Sequence, residues 1–459
     1  MISKPIVFVA PLLPFLAAST GIAADKPNIL VIRADDAGYA DFGFQGGGIN
    51  GDFADLTPRL DSLSRSGARF TNAYVSGPTC CPSRAGLRTG RYQQRVGMED
   101  NIVDFENAGL APFQQTIADR LRSLDYRTYA IGKWHLGDDL PDFHPNQRGF
   151  DEFFGFLTGA RSYYEYENPA DRLERNGEPL EERPDQYLTN VFGNAAANYL
   201  ASHAENRTDE PFFMYLAFNA VHAPLDPDPD SRDDPRIQDI EDENRKKLAT
   251  MTISLDNAVG NVRDKLLELG TRDNTLVVFL NDNGGPEDNP ELEGRNWSDN
   301  GPLREGKRSL YEGGIRVPFV ASWPGTIPTA PGGRVLDDTV ISLDLLPTFI
   351  AAAGGQIFPD IATDGANLLP RITARAPNPL ERCLFWRIGG PVDGQRAVRQ
   401  GDWKLYRNGR DQPELYDLAS DVGESEDLAD PEPERVAKML DLHAEWVRAS
   451  SSRSGDGER

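Results

Sequence analysis

Cysteine is scarce in this chain. Three occur in 459 residues: Cys80, Cys81 and Cys383. Three cannot build a disulfide framework, and adjacent cysteines bond only with strain. Histidine is scarce as well, with five residues. Positive charge is in deficit, since 48 Lys and Arg face 72 Asp and Glu for a formal charge of −24. That balance argues against a broad nucleic-acid or anionic-membrane footprint. It leaves room for an anionic ligand, because a pocket can be positive locally. Beyond the N-terminal segment no apolar run is long enough to span a bilayer, so no membrane span is expected. Internal repeats and long low-complexity tracts are also absent.

What is present begins with a leader. Lys4 supplies a charge, Pro5 to Ala18 is mostly apolar, and small residues end at Ala23-Ala24. This reads as a signal peptide over residues 1–24. The mature chain is expected to start near Asp25 and to be exported, periplasmic or secreted.

After the leader, strand-like and helix-like segments alternate, which predicts an α/β fold with a large mixed, mostly parallel central sheet flanked by helices. NILVIRA, residues 28–34, is nearly continuous in apolar residues, as a central strand buried on both faces requires. Further buried strands are expected at Thr128 to Ile131, Phe212 to Phe218, Leu276 to Leu280 and Val317 to Ser322. Thr57-Pro58 is expected to start a helix that Gly67 stops, with threonine as cap and proline in the first turn. Leu248, Met251, Leu255, Ala258, Val262 and Leu266 stand near helical spacing, so one long helix is expected over Asp242 to Leu269. Ser342 to Ala353 reads as another. After Asn378 the runs AVRQGDWKLYRN and PELYDL alternate as an antiparallel meander does, and Glu432 to Ala449 reads as a surface helix. The expected division is a catalytic domain over 25–378 and a small C-terminal antiparallel sheet with a helix over 379–459. The segments Asp226 to Ile240 and Gly284 to Gly301 are expected to be long rim loops.

Two strand ends carry chemistry. NILVIRA runs into Asp35-Asp36, and Leu276 to Leu280 runs into Asn281-Asp282-Asn283-Gly284-Gly285. Ligands of open α/β sheets bind at the carboxyl edge. Three carboxylates and an amide oxygen delivered there suit a hard divalent cation such as Ca²⁺ or Mg²⁺. Either motif alone is explained by turn chemistry after a strand; the coincidence of both favours a metal. Lys133 and His135, two apart after another strand, point the same way in an extended segment. His222 follows the Phe212 to Phe218 strand. A structural histidine accounts for either His135 or His222 taken singly. His144, His203 and His443 lie in polar contexts and receive no role. Lys307 lies among glycines that permit close approach to a ligand.

The segment TCCPSRAGLRTGRY, residues 79–92, places Cys80 near the N-terminus of a helix, with Pro82 in its first turn and Gly90 near its end. A helix N-terminus favours negative charge, and Arg84 adds a fork suited to oxyanions. An anionic ligand at Cys80 fits; so does a nucleophilic thiolate, although a thiolate is an odd partner for Ca²⁺.

C-x-P-S-R followed by L-x-T-G-R resembles the signature of the type I, arylsulfatase-like sulfatases of the alkaline phosphatase superfamily. Its residues here are Cys80, Pro82, Ser83, Arg84, Leu87, Thr89, Gly90 and Arg91. The resemblance runs through PNILVIRADDAGYADFG, GKWHLG, RGFDEFFGF, AVHAP, NDNGG, GKRSLYEGGIRVPF, GDWKLY and ELYDL, almost the whole mature chain. It implies that a formylglycine-generating enzyme converts Cys80 to Cα-formylglycine. It implies one Ca²⁺ bound by Asp35, Asp36, Asp282 and Asn283, with residue 80 completing the site. Arg84 and Lys133 would hold the formylglycine and the sulfate, His135 would act on the formylglycine hydroxyl, and His222 and Lys307 would face the bridging oxygen. The implied reaction is sulfate monoester hydrolysis through a formylglycine gem-diol and a sulfo-enzyme intermediate. The substrate would be a sulfated carbohydrate or an aryl sulfate, with Arg161, Tyr163 and Tyr164 as rim contacts and Arg161 among the substrate-binding residues. A formylglycine-dependent phosphonate or phosphodiester hydrolase and a non-catalytic glycan-binding descendant are the alternatives. Arg33 departs from the family, which usually has an apolar residue there.

Overall fold

The run NILVIRA forms strand β1 (Asn28–Ala34), buried from Ile29 onward. Alternation along it sends Leu30 and Ile32 to one face of a sheet and Ile29 and Val31 to the other. Both faces are covered, which is why the run has no polar alternation. In this computed structural model residues 26–104, 107–164, 172–180, 186–207, 209–286, 297–356, 363–375 and 380–452 are described. The predicted signal peptide and the predicted boundary at 378/379 lie outside them.

The sheet has ten strands in the order β10 (Arg334–Ile341), β2 (Ala68–Tyr74), β9 (Phe319–Ser322), β8 (Thr275–Asn281), β1, β7 (Phe212–Ala217), β3 (Arg127–Lys133), β4 (Glu152–Phe156), β5 (Glu174–Arg175) and β6 (Glu178–Pro179). The central run β8-β1-β7-β3-β4 is parallel throughout, and β9 pairs antiparallel with both β8 and β2. Helices α1 (Pro58–Arg65), α4 (Leu188–Asn206) and α5 (Glu243–Glu268) cover one face through Leu60, Phe192 and Leu255. The other face meets α2 (Cys80–Thr89), α3 (Ile117–Arg122), α7 (Leu345–Ala352) and α8 (Leu369–Ile372) through Ala85, Leu121, Phe349 and Ile372. A short turn, α6 (Glu312–Ile315), sits beside β2.

The smaller sheet, β11 (Cys383–Ile388), β12 (Gln395–Gln400), β13 (Trp403–Asn408) and β14 (Glu414–Asp417), is antiparallel throughout. Helix α9 (Pro433–Ser452) packs on it, with Met439 against Val398, Leu405 and Leu415. Trp386 joins the two parts: its indole N–H donates to the Val75 carbonyl at 2.7 Å, and its ring packs near Tyr74.

Three local readings need correction. Thr57 does not cap α1 with its hydroxyl, which accepts from the Gly43 amide at 2.8 Å. Asp256 of α5 does the capping, accepting from the Arg59 and Leu60 amides at 3.0 and 2.8 Å. The strand expected from Val317 begins at Phe319, because Val317 still bonds to the Ala73 carbonyl outside the ladder. The segment Asp226 to Ile240 carries two turns of 3₁₀ helix, Pro229–Ser231 and Pro235–Ile237, each capped by the Asp that precedes its proline.

Candidate active site

Register fixes the centre of the site. Ala34 pairs with Asn281 across parallel strands β1 and β8, so Asp35-Asp36 and Asp282-Asn283 leave the same edge side by side. On the other flank β7 pairs with β1 and then with β3, which puts the loop holding His222 between Asp35-Asp36 and Lys133-Trp134-His135. Four consecutive parallel strands thus deliver Asp35, Asp36, Lys133, His135, His222, Asp282 and Asn283 to one rim.

Cys80 opens α2, and its thiol is fully buried with Asp35, Asp36 and His222 so close that one ligand atom from each lies within 4.8 Å of the others. Cys80 is free, and so is Cys81. The two side chains face different surroundings. Burial raises the Cys80 thiol, but Lys133 (Nζ–Sγ 3.5 Å) and Lys307 outweigh it and bring it down to about 6. Cys81 packs in the apolar core, accepts only the Ile102 amide at 3.5 Å, and is pushed up to about 12 by burial.

Cations close over the carboxylates. Lys133 Nζ is 2.5 Å from Asp35, Arg84 bridges Asp35 and Asp282 at 3.2 and 2.9 Å, and Lys307 is 2.7 Å from Asp36. Arg84 also donates to the Lys133 carbonyl at 2.9 Å, which ties α2 to the end of β3. The carboxylates differ in consequence. Burial and the neighbouring Asp282 raise Asp35 to about 7. In Asp282 burial is overcome by Arg84 and Arg33, which hold it far below the usual carboxylate range.

The donor set fits a hard cation. Asn283 donates its amide N–H to Asp36 at 2.7 Å, while its buried carbonyl oxygen has no hydrogen-bond partner. A buried amide oxygen without a partner beside three carboxylates is what a Ca²⁺ or Mg²⁺ site requires. His222 also approaches Asp36, with Nε2 at 3.3 Å.

The two site histidines are shifted in opposite directions. His222 donates from Nδ1 to the Ala223 carbonyl at 2.6 Å and points Nε2 at Asp36 and Lys307. Burial opposes its charge, but Asp36 prevails and raises it. His135 is lowered well below the ordinary imidazole value by burial and then by Lys133 and Arg84. Its Nδ1 is buried without a partner, and Gly159 leaves space for its ring, since a Cβ there would lie 2.6 Å from it.

Arg161, Tyr163 and Tyr164 do not form an open rim together. Arg161 is 3% exposed and lies over the Phe156 ring; Tyr163 is 0% exposed. The Tyr163 hydroxyl donates to the Asn219 and His222 carbonyls at 2.8 and 3.0 Å, so it holds the His222 loop from below. Tyr164 is half-buried and donates to the Pro227 carbonyl at 2.5 Å.

Arg33 has a place in this geometry that its position in an apolar strand does not reveal. Its guanidinium donates to Tyr215 at 3.1 Å and to Ser83 of α2 at 3.2 Å. It therefore braces the helix that carries Cys80 and adds to the field on Asp282. Arg88, stacked 4.1 Å over Trp134 and 4.0 Å over Tyr215, completes this buried layer.

The family model for Sulfatase matches residues 27–355, and that for N-sulphoglucosamine sulphohydrolase, C-terminal, matches 305–449. Arylsulfatase J of Mus musculus is 34% identical over 406 residues, covering 83% of this chain and 64% of that protein, so the chain spans just under two thirds of it. Arylsulfatase A of Homo sapiens is 33% identical over 486 residues, covering 94% of this chain and 90% of that protein. The crystal structure of Ps i-CgsB in complex with k-i-k-neocarrahexaose is 34% identical, with a TM-score of 0.83 and 92% of both chains covered.

Proposed function

The chain belongs to the sulfatase family of sulfuric ester hydrolases, and from that premise we propose that it removes sulfate from sulfated carbohydrates through a modified Cys80 and a bound Ca²⁺. One observation carries the reading: Cys80 sits where buried Lys133 and Arg84 and half-buried Lys307 meet three carboxylates, inside 4.8 Å of Asp35, Asp36 and His222. A sulfate ester needs its oxygens neutralised, and these residues supply that charge out of water. The carbohydrate preference is supported by the structural neighbour solved in complex with k-i-k-neocarrahexaose.

Asp35, Asp36, Asp282 and Asn283 would hold the Ca²⁺, with residue 80 completing the site. Bound there, the metal would supply charge stabilisation for the sulfate and acidity for a residue 80 hydroxyl. Formylglycine at residue 80, made by a formylglycine-generating enzyme, would supply that hydroxyl; a serine lacks the second hydroxyl that lets sulfate leave. Arg84 and Lys133 hold the anionic group and resist its diffusion from the site. His222, whose protonated form Asp36 favours, would carry a proton to the departing alcohol, with Lys307 beside it at 3.4 Å. His135, whose neutral form burial and Lys133 favour, would accept the proton when sulfate is expelled. The leader read at residues 1–24 supports export; among the described residues no helix is long and apolar enough to cross a membrane.

The test is sulfate release. Protein co-expressed with a formylglycine-generating enzyme should liberate sulfate from 4-methylumbelliferyl sulfate and from sulfated galactan oligosaccharides. Turnover of phosphonate or phosphodiester analogues with no sulfate release would replace this reading with the phosphorus-ester alternative.

A further inference from the structure

Beside the catalytic residues lies a second concavity. It has a volume of about 510 Å³ and is walled by Thr79, Asp100, Asn101, Arg308, Asp393 and Gln395, among others. That size falls within the range of about 300–1,000 Å³ usual for ligand sites. Its walls are continuous with the active site through the backbone. Thr79 is the N-cap of α2, one residue before Cys80. Asn101 accepts the Cys81 amide at 3.0 Å. Arg308 follows Lys307, the partner of Asp36. The opposite wall comes from the small sheet: Gln395 of β12 donates to the Arg308 carbonyl at 3.1 Å and accepts from the Leu310 amide at 2.9 Å.

Arg308 is unusual within that wall. Its φ is 75°, the left-handed region that costs a non-glycine residue energy. The conformation is imposed from both sides, by its own amide on the Pro78 carbonyl at 2.9 Å and by the Gln395 clamp. The result is an exposed guanidinium with no hydrogen bond or ion pair to any described residue. Asp393 is already engaged by Arg410 at 3.4 Å, whereas Asp100 is exposed and makes no such pair. A free guanidinium takes a carboxylate or sulfate in a two-pronged bond, and amide and carboxylate groups beside it suit vicinal hydroxyls.

We infer that this concavity is a subsite for the sugar next to the one being desulfated, and that Arg308 grips an anionic substituent, sulfate or carboxylate, on that neighbouring sugar. The inference rests on the reading of the adjoining site as a carbohydrate sulfatase. It makes the preferred substrate an oligosaccharide with charge on adjacent residues, in which the small sheet takes part in recognition.

Glycine at position 308 removes the guanidinium and relieves the backbone, so Arg308→Gly should fold. The experiment is calorimetric titration of the Ca²⁺-loaded full chain carrying Cys80→Ala, with k-i-k-neocarrahexaose as the multiply sulfated probe and a chondroitin 6-sulfate hexasaccharide as the uronate probe. At least one should bind, and adding Arg308→Gly should weaken that binding about 10- to 100-fold, the worth of a charge-assisted pair. Arg308→Lys should fall between. The probe that loses most identifies sulfate or carboxylate as the group gripped. In otherwise active enzyme, kcat/KM should fall at least about tenfold more on the preferred hexasaccharide than on 4-methylumbelliferyl sulfate, which has no neighbouring sugar. Binding of neither hexasaccharide, or equal binding with and without Arg308, overturns the inference. If wild-type enzyme still releases sulfate from the aryl ester, only the subsite is lost; if it releases none from any probe, the carbohydrate sulfatase reading fails first.

Discussion

Asn283 gives its amide N–H to Asp36 at 2.7 Å and leaves its own carbonyl oxygen buried without a partner. That arrangement fixes the amide orientation from one side and presents an acceptor on the other. An unmatched buried acceptor costs about 1–3 kcal/mol, and a bound cation would remove that cost.

Ca²⁺ should therefore raise the melting temperature of the wild-type protein, by the linkage that stabilises any state a ligand binds selectively. Asn283→Ala and Asp282→Ala should each weaken Ca²⁺ binding by at least about tenfold in calorimetry, with the fold retained in circular dichroism. Chelation should remove sulfatase activity, and added Ca²⁺ should restore it. A melting temperature that ignores both Ca²⁺ and chelator would refute the site.

Cys80 and Cys81 should part company chemically. Peptide mass spectrometry across residues 79–84 of active enzyme should find an aldehyde or its hydrate at 80 and an unmodified thiol at 81. Cys80→Ala should abolish turnover, Cys80→Ser should transfer sulfate at most once, and Cys81→Ser should keep most activity. Cys81 is 0% exposed in an apolar cluster, so its substitution should register in stability rather than in rate. Full activity with both thiols intact would leave metal-assisted attack by water or thiolate.

The candidate metal rim is legible in the sequence because it rests on local signals. Asp35-Asp36 and Asp282-Asn283 each follow an apolar strand, and both strands are long enough to identify alone. Their adjacency is not legible: Asp36 and Asn283 are 247 residues apart, and only strand order brings them together. Strands β2 and β10 escape for a related reason. ARFTNAY and RVLDDTVI mix buried and open positions near one edge of the sheet, so neither shows a clean apolar run. Tyr163 reads as a rim residue from its place in the segment that follows RGFDEFFGF. Its actual partners are two backbone carbonyls, which no side-chain pattern encodes. The same limit hides Asp256 as the cap of α1, since the hydroxyl expected there is spent on Gly43.

If His222 assists the departing alcohol, as proposed, the help matters most when that alcohol is a poor leaving group. His222→Ala should lower kcat/KM on a sugar sulfate by about 10²–10⁴ and on 4-methylumbelliferyl sulfate by clearly less. Tyr163→Phe, which releases the His222 carbonyl, should show the same leaving-group dependence in weaker form. Equal losses on the two substrates would assign His222 to binding instead.

The joint between the two sheets contains a buried ionic trio. Lys404 lies 2.9 Å from Glu312 and 2.7 Å from Glu424, and all three side chains are 0% exposed. The two carboxylates respond in opposite directions. Burial raises Glu424, Lys404 opposes, Glu312 repels, and the outcome is about 7. Burial also acts on Glu312, but Lys404 and Arg316 overcome it and bring it down to about 2. Their contributions to stability follow with opposite signs. Below 4.5, the ordinary glutamate value, the folded and unfolded states both protonate Glu424; above it only the folded state keeps the proton, so stability falls as pH rises from 4.5 to about 7. Glu312 contributes stability that is present above 4.5 and is lost as pH falls toward about 2. Glu424→Gln removes the first dependence and leaves the second. The melting temperature of Glu424→Gln relative to wild type should therefore climb between pH 5 and 7, at up to about 1.4 kcal/mol per pH unit over that window. Glu312→Ala, which removes one of the two carboxylates on Lys404 and the carboxylate partner of Arg316, should instead destabilise at every pH above 4.5, by about 3–5 kcal/mol. A pH-independent offset between Glu424→Gln and wild type would show that Glu424 stays ionised in the folded protein and that the joint is an ordinary ion pair.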